Sequence, residues 1–230
     1  MKRILLAGTA LLALTAAQPT LAADAPVYKG PAPVAAAVFN WTGLYIGATA
    51  GYGFGNTYQF DNGGAFTSGT FDWNGGVAGG TIGYNWQTGA LVFGVEADLS
   101  WSGIKGSITS PPGWGCGVSP TCHNEVKWFG TVRGRLGLAM DRFLPFVTAG
   151  VAYGRLYADF TACAPVQFCI EETRTGWTAG GGFEWAFAPN WSLKVEYLYI
   201  DLGQFEVVTT DDLGMVGRFS VVRAGLNWHF

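Results

Sequence analysis

The chain has 230 residues, enough for one domain or a small pair, and only 13% of them are charged, about half of the ~25% usual in soluble domains. Its formal net charge of -3 leaves no basic patch for nucleic acid and no strong field to steer an acidic partner. Glycine is the second departure: 35 residues, roughly twice the usual ~7%, are spread through apolar segments and penalise helices there.

The first element in the chain is a processing signal. Lys2 and Arg3 precede the apolar run ILLAGTALLALTAA, and TLAADA brings small residues around Ala22 and Ala23. A positive start, a core too short to span a bilayer and a small-residue cleavage site, in that order, predict a secretory signal peptide over 1–23. Residues 24–40, DAPVYKGPAPVAAAVFN, have the Pro and Ala content of a periplasmic arm without a fold of its own. No later stretch approaches the ~20 consecutive apolar residues of a transmembrane helix. The exported chain is therefore either soluble or enters a membrane as strands.

From Trp41 onward the sequence reads as eight strand-like runs, 41–54, 73–87, 90–103, 126–140, 143–157, 174–187, 191–204 and 217–230, each far longer than the ~5–6 residues of an average strand. Short breaks at TG (88–89), DR (141–142) and APN (188–190) alternate with long polar gaps. Short turns at one end and long loops at the other are the signature of a transmembrane barrel.

Alternation within the runs identifies the solvent. In 90–103, Leu91, Phe93, Val95, Ala97, Leu99 and Trp101 share one face, and Val92, Gly94, Glu96, Asp98 and Ser100 the other. In 126–140 the split is Val126, Trp128, Val132, Leu136, Leu138 and Met140 against Lys127, Phe129, Thr131, Arg133 and Arg135. At the end of the chain Val222, Ala224, Leu226, Trp228 and Phe230 oppose Arg223, Gly225, Asn227 and His229. Apolar side chains outward, with aromatics near the strand ends, suit lipid and its two interfaces. A soluble barrel of the lipocalin type would place them inward around a ligand. Because hydrocarbon offers no partner to a free sheet edge, the expectation is an all-β fold over 41–230: an eight-stranded antiparallel up-and-down transmembrane β-barrel. Inward glycines such as Gly79, Gly83, Gly180 and Gly182 leave room in a narrow lumen.

By the same parity Glu96, Asp98, Arg133, Arg135, Glu184, Lys194, Glu196 and Arg223 face the lumen near its periplasmic end. A turn centred on Pro189 sets Glu184 across from Lys194, and Arg133 and Arg135 stand at the height of Glu96 and Asp98. Four acids against four bases form a neutral set, read here as a packed ionic cluster. Acid–base catalysis would need an accessible pocket and carboxylates whose pKa values are pushed apart. With only His123 and His229 as histidine bases, the expectation is no enzyme, no catalytic residue and no cofactor.

Cys116 and Cys122 form one close pair and Cys163 and Cys169 another, each in a long gap. In an oxidising compartment a disulfide within each gap is the default, although four cysteines allow three connectivities. The C-x5-C spacing does not suit a metal site. Arg155 and Arg218 fall outward near the extracellular ends, at the height of lipopolysaccharide phosphates or of interfacial snorkelling.

The segments ADAPVYKGPAPVAAAVFNWTGLYIGATAGYGFG, WNGGVAGGTIGYNWQ, PFVTAGVAYG and VRAGLNWHF together resemble the small outer-membrane β-barrel family of α-proteobacteria, whose members include porin-like surface antigens and hemin-binding proteins. The resemblance covers nearly the whole exported chain. It implies the outer membrane of a Gram-negative cell, with membrane lipid and lipopolysaccharide as partners. It also implies that Trp228 and Phe230 serve as the C-terminal signal read by the outer-membrane insertion machinery. Three roles stay open: structural support with surface display, a small passive pore, and capture of hemin by loop aromatics such as Trp114, Phe160 and Phe168.

Overall fold

The computed structural model describes residues 39–61, 66–109, 121–159, 169–207 and 213–230. The expected signal peptide and the arm up to residue 38 lie outside them. Eight long strands carry the fold: β1 (Gly43–Thr57), β4 (Phe71–Thr88), β5 (Leu91–Thr109), β6 (Thr121–Leu138), β7 (Phe143–Asp159), β8 (Cys169–Ala188), β9 (Trp191–Val207) and β10 (Leu213–His229). Two short strands, β2 (Gln59–Asp61) and β3 (Phe66–Thr67), form a hairpin that adds to the end of β10. Each long strand pairs antiparallel with the next, and β1 pairs with β10 from Tyr45↔His229 to Phe54↔Ser220. The ring of hydrogen bonds is thereby closed.

Tight turns join the strands at the periplasmic end, where Gly89 (φ +61°) and Asp141 (φ 54°) take the left-handed backbone such reversals need. Outside the ring lies an apolar surface on which Ile82, Leu99, Val132, Val147, Val151 and Leu226 are about half exposed. Aromatic contacts rim it at both ends, Trp191 with Trp228 (5.0 Å) toward the turns and Trp177 with Tyr199 (5.3 Å) toward the loops. From Trp177 to Trp185 on β8, eight residues at ~3.3 Å rise and a tilt of ~40° give roughly 20 Å of height. That is close to the ~25 Å apolar band of an outer-membrane barrel.

The eight runs coincide with the eight long strands, with two corrections. The strands reach further toward the loops: β6 starts at Thr121 and β8 at Cys169. The alternation also breaks within β6, where the register against β7 shifts between Val126 and Trp128, opposite a shift between Trp101 and Ile104 on β5. Val126, expected to face lipid, is fully buried inside, while Lys127, expected inward, is part-exposed and paired with Glu125 at 2.8 Å. A bulge of this kind reverses the parity of everything beyond it.

The lumen is also less uniformly polar than expected. Its extracellular half is an apolar core in which Trp73, Ile104, Val126, Phe129, Leu156, Leu198, Met215 and Phe219 are buried. Above it a small polar layer forms as Gln59 Nε2 donates to Asn124 Oδ1 (2.7 Å) and Asn124 Nδ2 to Thr57 Oγ1 (3.0 Å). At the periplasmic mouth Trp41 is fully buried with Val92, Leu144 and Ala186. Its indole donates to Asp141 O (3.0 Å), and the Phe39 amide donates to Asp141 Oδ1 (3.1 Å).

Candidate functional site: an ionic layer across the lumen

Between the Trp41 layer and the apolar core lies the expected charge set. Period-two geometry places Glu96 and Asp98 from β5, Arg133 and Arg135 from β6, Glu184 from β8, Lys194 and Glu196 from β9, and Arg223 from β10 on the inner wall. None is more than 5% exposed. Arg133 joins three acids: Nη2 reaches Glu96 Oε1 (2.5 Å) and Asp98 Oδ2 (3.0 Å), and Nη1 reaches Glu196 Oε2 (2.8 Å). Arg223 closes the loop from the other wall, with Nε on Glu196 Oε1 (2.9 Å) and Nη1 on Asp98 Oδ1 (2.9 Å). The two guanidinium forks therefore bridge strands that are not neighbours, using the planar multi-donor geometry that lysine lacks.

The register of the β8–β9 hairpin is as expected, with Glu184 opposite Lys194, but the bonding differs. Lys194 Nζ turns to Glu96 Oε2 (2.8 Å) and Glu196 Oε1 (3.2 Å), while Glu184 takes Arg135 Nη2 (2.5 Å). Arg135 therefore leaves the β5 carboxylates, the partners expected from its height, to Arg133. Its guanidinium also lies over the Phe146 ring at 3.8 Å, a cation–π contact. In a closed ring side chains converge on a common axis, so a partner across the lumen competes with one beside it.

Sequence reasoning missed Tyr45 in this layer. Tyr45 is fully buried and its hydroxyl donates to Glu96 Oε2 (2.6 Å); its ring occupies the space over Gly83, where a Cβ would stand 2.3 Å from the hydroxyl oxygen. The parity of β1 was the available signal. His229 meets Ser192 Oγ (2.9 Å) and Glu184 Oε1 (3.3 Å), both through Nε2. A serine–histidine–carboxylate relay needs the acid on one ring nitrogen and the nucleophile on the other. Here both share one nitrogen, and Ser192 Oγ itself donates to Glu184 Oε1 (2.5 Å).

Other expected residues are placed only in part. Cys122 is disulfide-bonded and buried against Ile108. Cys116, Cys163, Trp114, Phe160 and Phe168 lie outside the described residues, as does the side chain of Cys169. Arg155 pairs with Glu171 (2.7 Å) and Arg218 with Asp201 (3.0 Å), both on the outer surface. Trp228 and Phe230 face outward, Phe230 being 68% exposed.

A closed ring of antiparallel strands, apolar outside with aromatic rims and charged within, defines an outer-membrane β-barrel. The chain belongs to the outer membrane protein beta-barrel domain family, whose model matches residues 8–230, and it is located in the cell outer membrane. It is 39% identical over 246 residues, covering all of both chains, to the 31 kDa outer-membrane immunogenic protein of Brucella melitensis. The 25 kDa outer-membrane immunogenic protein of Brucella abortus is 30% identical, over 88% of this chain and 85% of that one. The 22 kDa outer membrane protein of Rhizobium leguminosarum is 33% identical over 70% of this chain and 64% of its own length. Among solved structures, the outer membrane protein OprG of Pseudomonas aeruginosa covers 84% of this chain and 99% of its own, at 11% identity and a TM-score of 0.47.

Proposed function

We propose that this protein is a structural and surface-displaying barrel of the outer membrane, closed to solutes along its axis and without catalytic activity of its own. The observation that carries the reading is the pair of guanidinium bridges, Arg133 to Glu196 and Arg223 to Asp98, each stretched across the lumen between strands that are not neighbours. An eight-stranded barrel has a lumen only about wide enough for side chains, whereas open channels come with ~16 strands. Relatives named as immunogenic outer-membrane proteins support display of the loops at the cell surface. The test is swelling of proteoliposomes in small sugars and salts. The reading expects rates equal to protein-free liposomes, and swelling that rises with protein content would favour a passive pore instead.

A further inference from the structure

Near the extracellular end of the seam where the ring closes, the backbone ladder between β1 and β10 stops at Phe54↔Ser220. β1 itself runs on, paired with β4 up to Thr57↔Phe71. Past this point side chains take the carbonyls of β10: Trp73 Nε1 donates to Arg218 O (3.1 Å) and Thr57 Oγ1 to Val216 O (2.8 Å). A cavity of about 400 Å³ lies at the interruption, with Phe54, Asn56, Tyr58, Tyr199, Arg218 and Ser220 in its lining. It sits at the height of the Trp177 and Tyr199 aromatic rim, the level of lipid headgroups.

The guanidinium of Arg218 is half exposed and engages Asp201 through Nε alone among the described residues. Its two Nη nitrogens are left as a fork of the kind that grips a phosphate with two parallel hydrogen bonds. Phe54, Tyr58 and Tyr199 put aromatic rings beside that fork, and rings offer a flat apolar surface to one face of a sugar. Toward the periplasm, past Tyr52 and Val222, the outer wall is shallow between β1 and β4, because Ala50 stands between Ala224 and Ala78 and Ala48 beside Gly80. Trp101, 79% exposed, walls off one side of a second cavity of about 330 Å³ over Ala50 and Ala78.

We propose that this seam binds one phosphorylated glycolipid of the outer leaflet, lipid A. Its phosphate lies on the Arg218 fork, its sugar against Tyr58 and Tyr199, and an acyl chain runs down the depression over Ala50 and Ala78. A glycerophospholipid supplies the phosphate and the chain but no flat sugar face, which is why the aromatic lining favours the glycolipid. The inference needs only the outer-membrane placement of the chain and stands apart from the closed lumen.

The test is native mass spectrometry of the exported full-length protein in detergent micelles, titrated separately with lipid A and with phosphatidylglycerol. Folding of every variant is first checked by heat-modifiable migration on gels. Wild type should retain one lipid A, and hold it roughly tenfold more tightly than phosphatidylglycerol. Arg218→Gln should weaken lipid A by roughly tenfold, the effect of losing one charge-assisted contact. Arg155→Gln, which removes an equal charge from another part of the rim, should leave binding unchanged. The double variant Ala50→Leu/Ala78→Leu fills the depression without touching charge, and should weaken lipid A as well. Equal losses in Arg155→Gln and Arg218→Gln, or phosphatidylglycerol held as tightly as lipid A, would overturn the proposal.

Discussion

Replacing Lys194 with methionine keeps a side chain of similar length but removes the ammonium shared by Glu96 (2.8 Å) and Glu196 (3.2 Å). The layer then holds four carboxylates against three guanidinium groups in a site where no member is more than 5% exposed. Removing one partner of a buried ion pair costs ~3–5 kcal/mol because the other charge is stranded. Glu96 keeps Arg133 and Tyr45, and Glu196 keeps Arg133 and Arg223, so the loss should lie at the lower end, about 3 kcal/mol. The companion Lys194→Met/Glu96→Gln restores neutrality and should recover ~1–2 kcal/mol, within the range of couplings measured between contacting residues. Equilibrium urea unfolding in lipid vesicles, followed by tryptophan fluorescence, reads both values. The same loss should persist in 1 M salt, since buried pairs are weakly screened. A loss below ~0.5 kcal/mol, or one abolished by salt, is the behaviour of an exposed pair and would refute the buried network.

Unreduced peptides analysed by mass spectrometry should show Cys122 joined to Cys116 and Cys163 joined to Cys169, each closing a short loop worth ~3 kcal/mol or less; free thiols would contradict the pairing. Gly83→Val forces a side chain onto Tyr45, where a Cβ stands 2.3 Å from the hydroxyl oxygen, and should cost ~1–3 kcal/mol in the urea assay. Gly80→Val, whose nearest Cβ neighbour is 3.7 Å away, should stay within ~0.5 kcal/mol. Trp41→Ala removes a fully buried indole and its bond to Asp141; a loss of ~3–5 kcal/mol is expected, and an unchanged heat-modification midpoint would deny that the mouth is packed. Deleting Phe230, the proposed end of the insertion signal, should sharply reduce folded barrel in the outer membrane.

The barrel was legible because the bilayer imposes one rule on every strand. Apolar residues face out and small or polar ones face in wherever lipid touches the wall, so Leu91 to Trp101 and Val222 to Phe230 declare their faces at once. Above the lipid the rule lapses: Lys105 and Thr109 are exposed on β5 while Ile104 is buried, and the contrast that marks a strand disappears. That is why the sequence pattern places the starts of β6 and β8 five residues too late (126 against 121, 174 against 169). Parity also depends on an unbroken ladder, and the bulge at Lys127 turned Val126 inward unannounced.

The charge set was found by parity, but its bonding was not. Glu184 and Lys194 are opposite in register, yet Lys194 prefers two carboxylates and Glu184 prefers Arg135 because the lumen brings distant strands within side-chain reach. Trp41 precedes β1; the parity of the run 41–54 puts it on the inward face with Tyr45, but no periodicity points to its packing across the mouth.

Single-channel recording of the refolded exported protein in planar lipid bilayers tests the central claim most directly. The measurement compares wild type with Arg133→Ala/Arg223→Ala, which removes both guanidinium bridges across the lumen and leaves Lys194 on Glu96. Wild type should give no steady conductance, and the double variant should lose stability before it gives any. Large, steady wild-type channels of the size formed by a general diffusion porin would contradict the closed lumen.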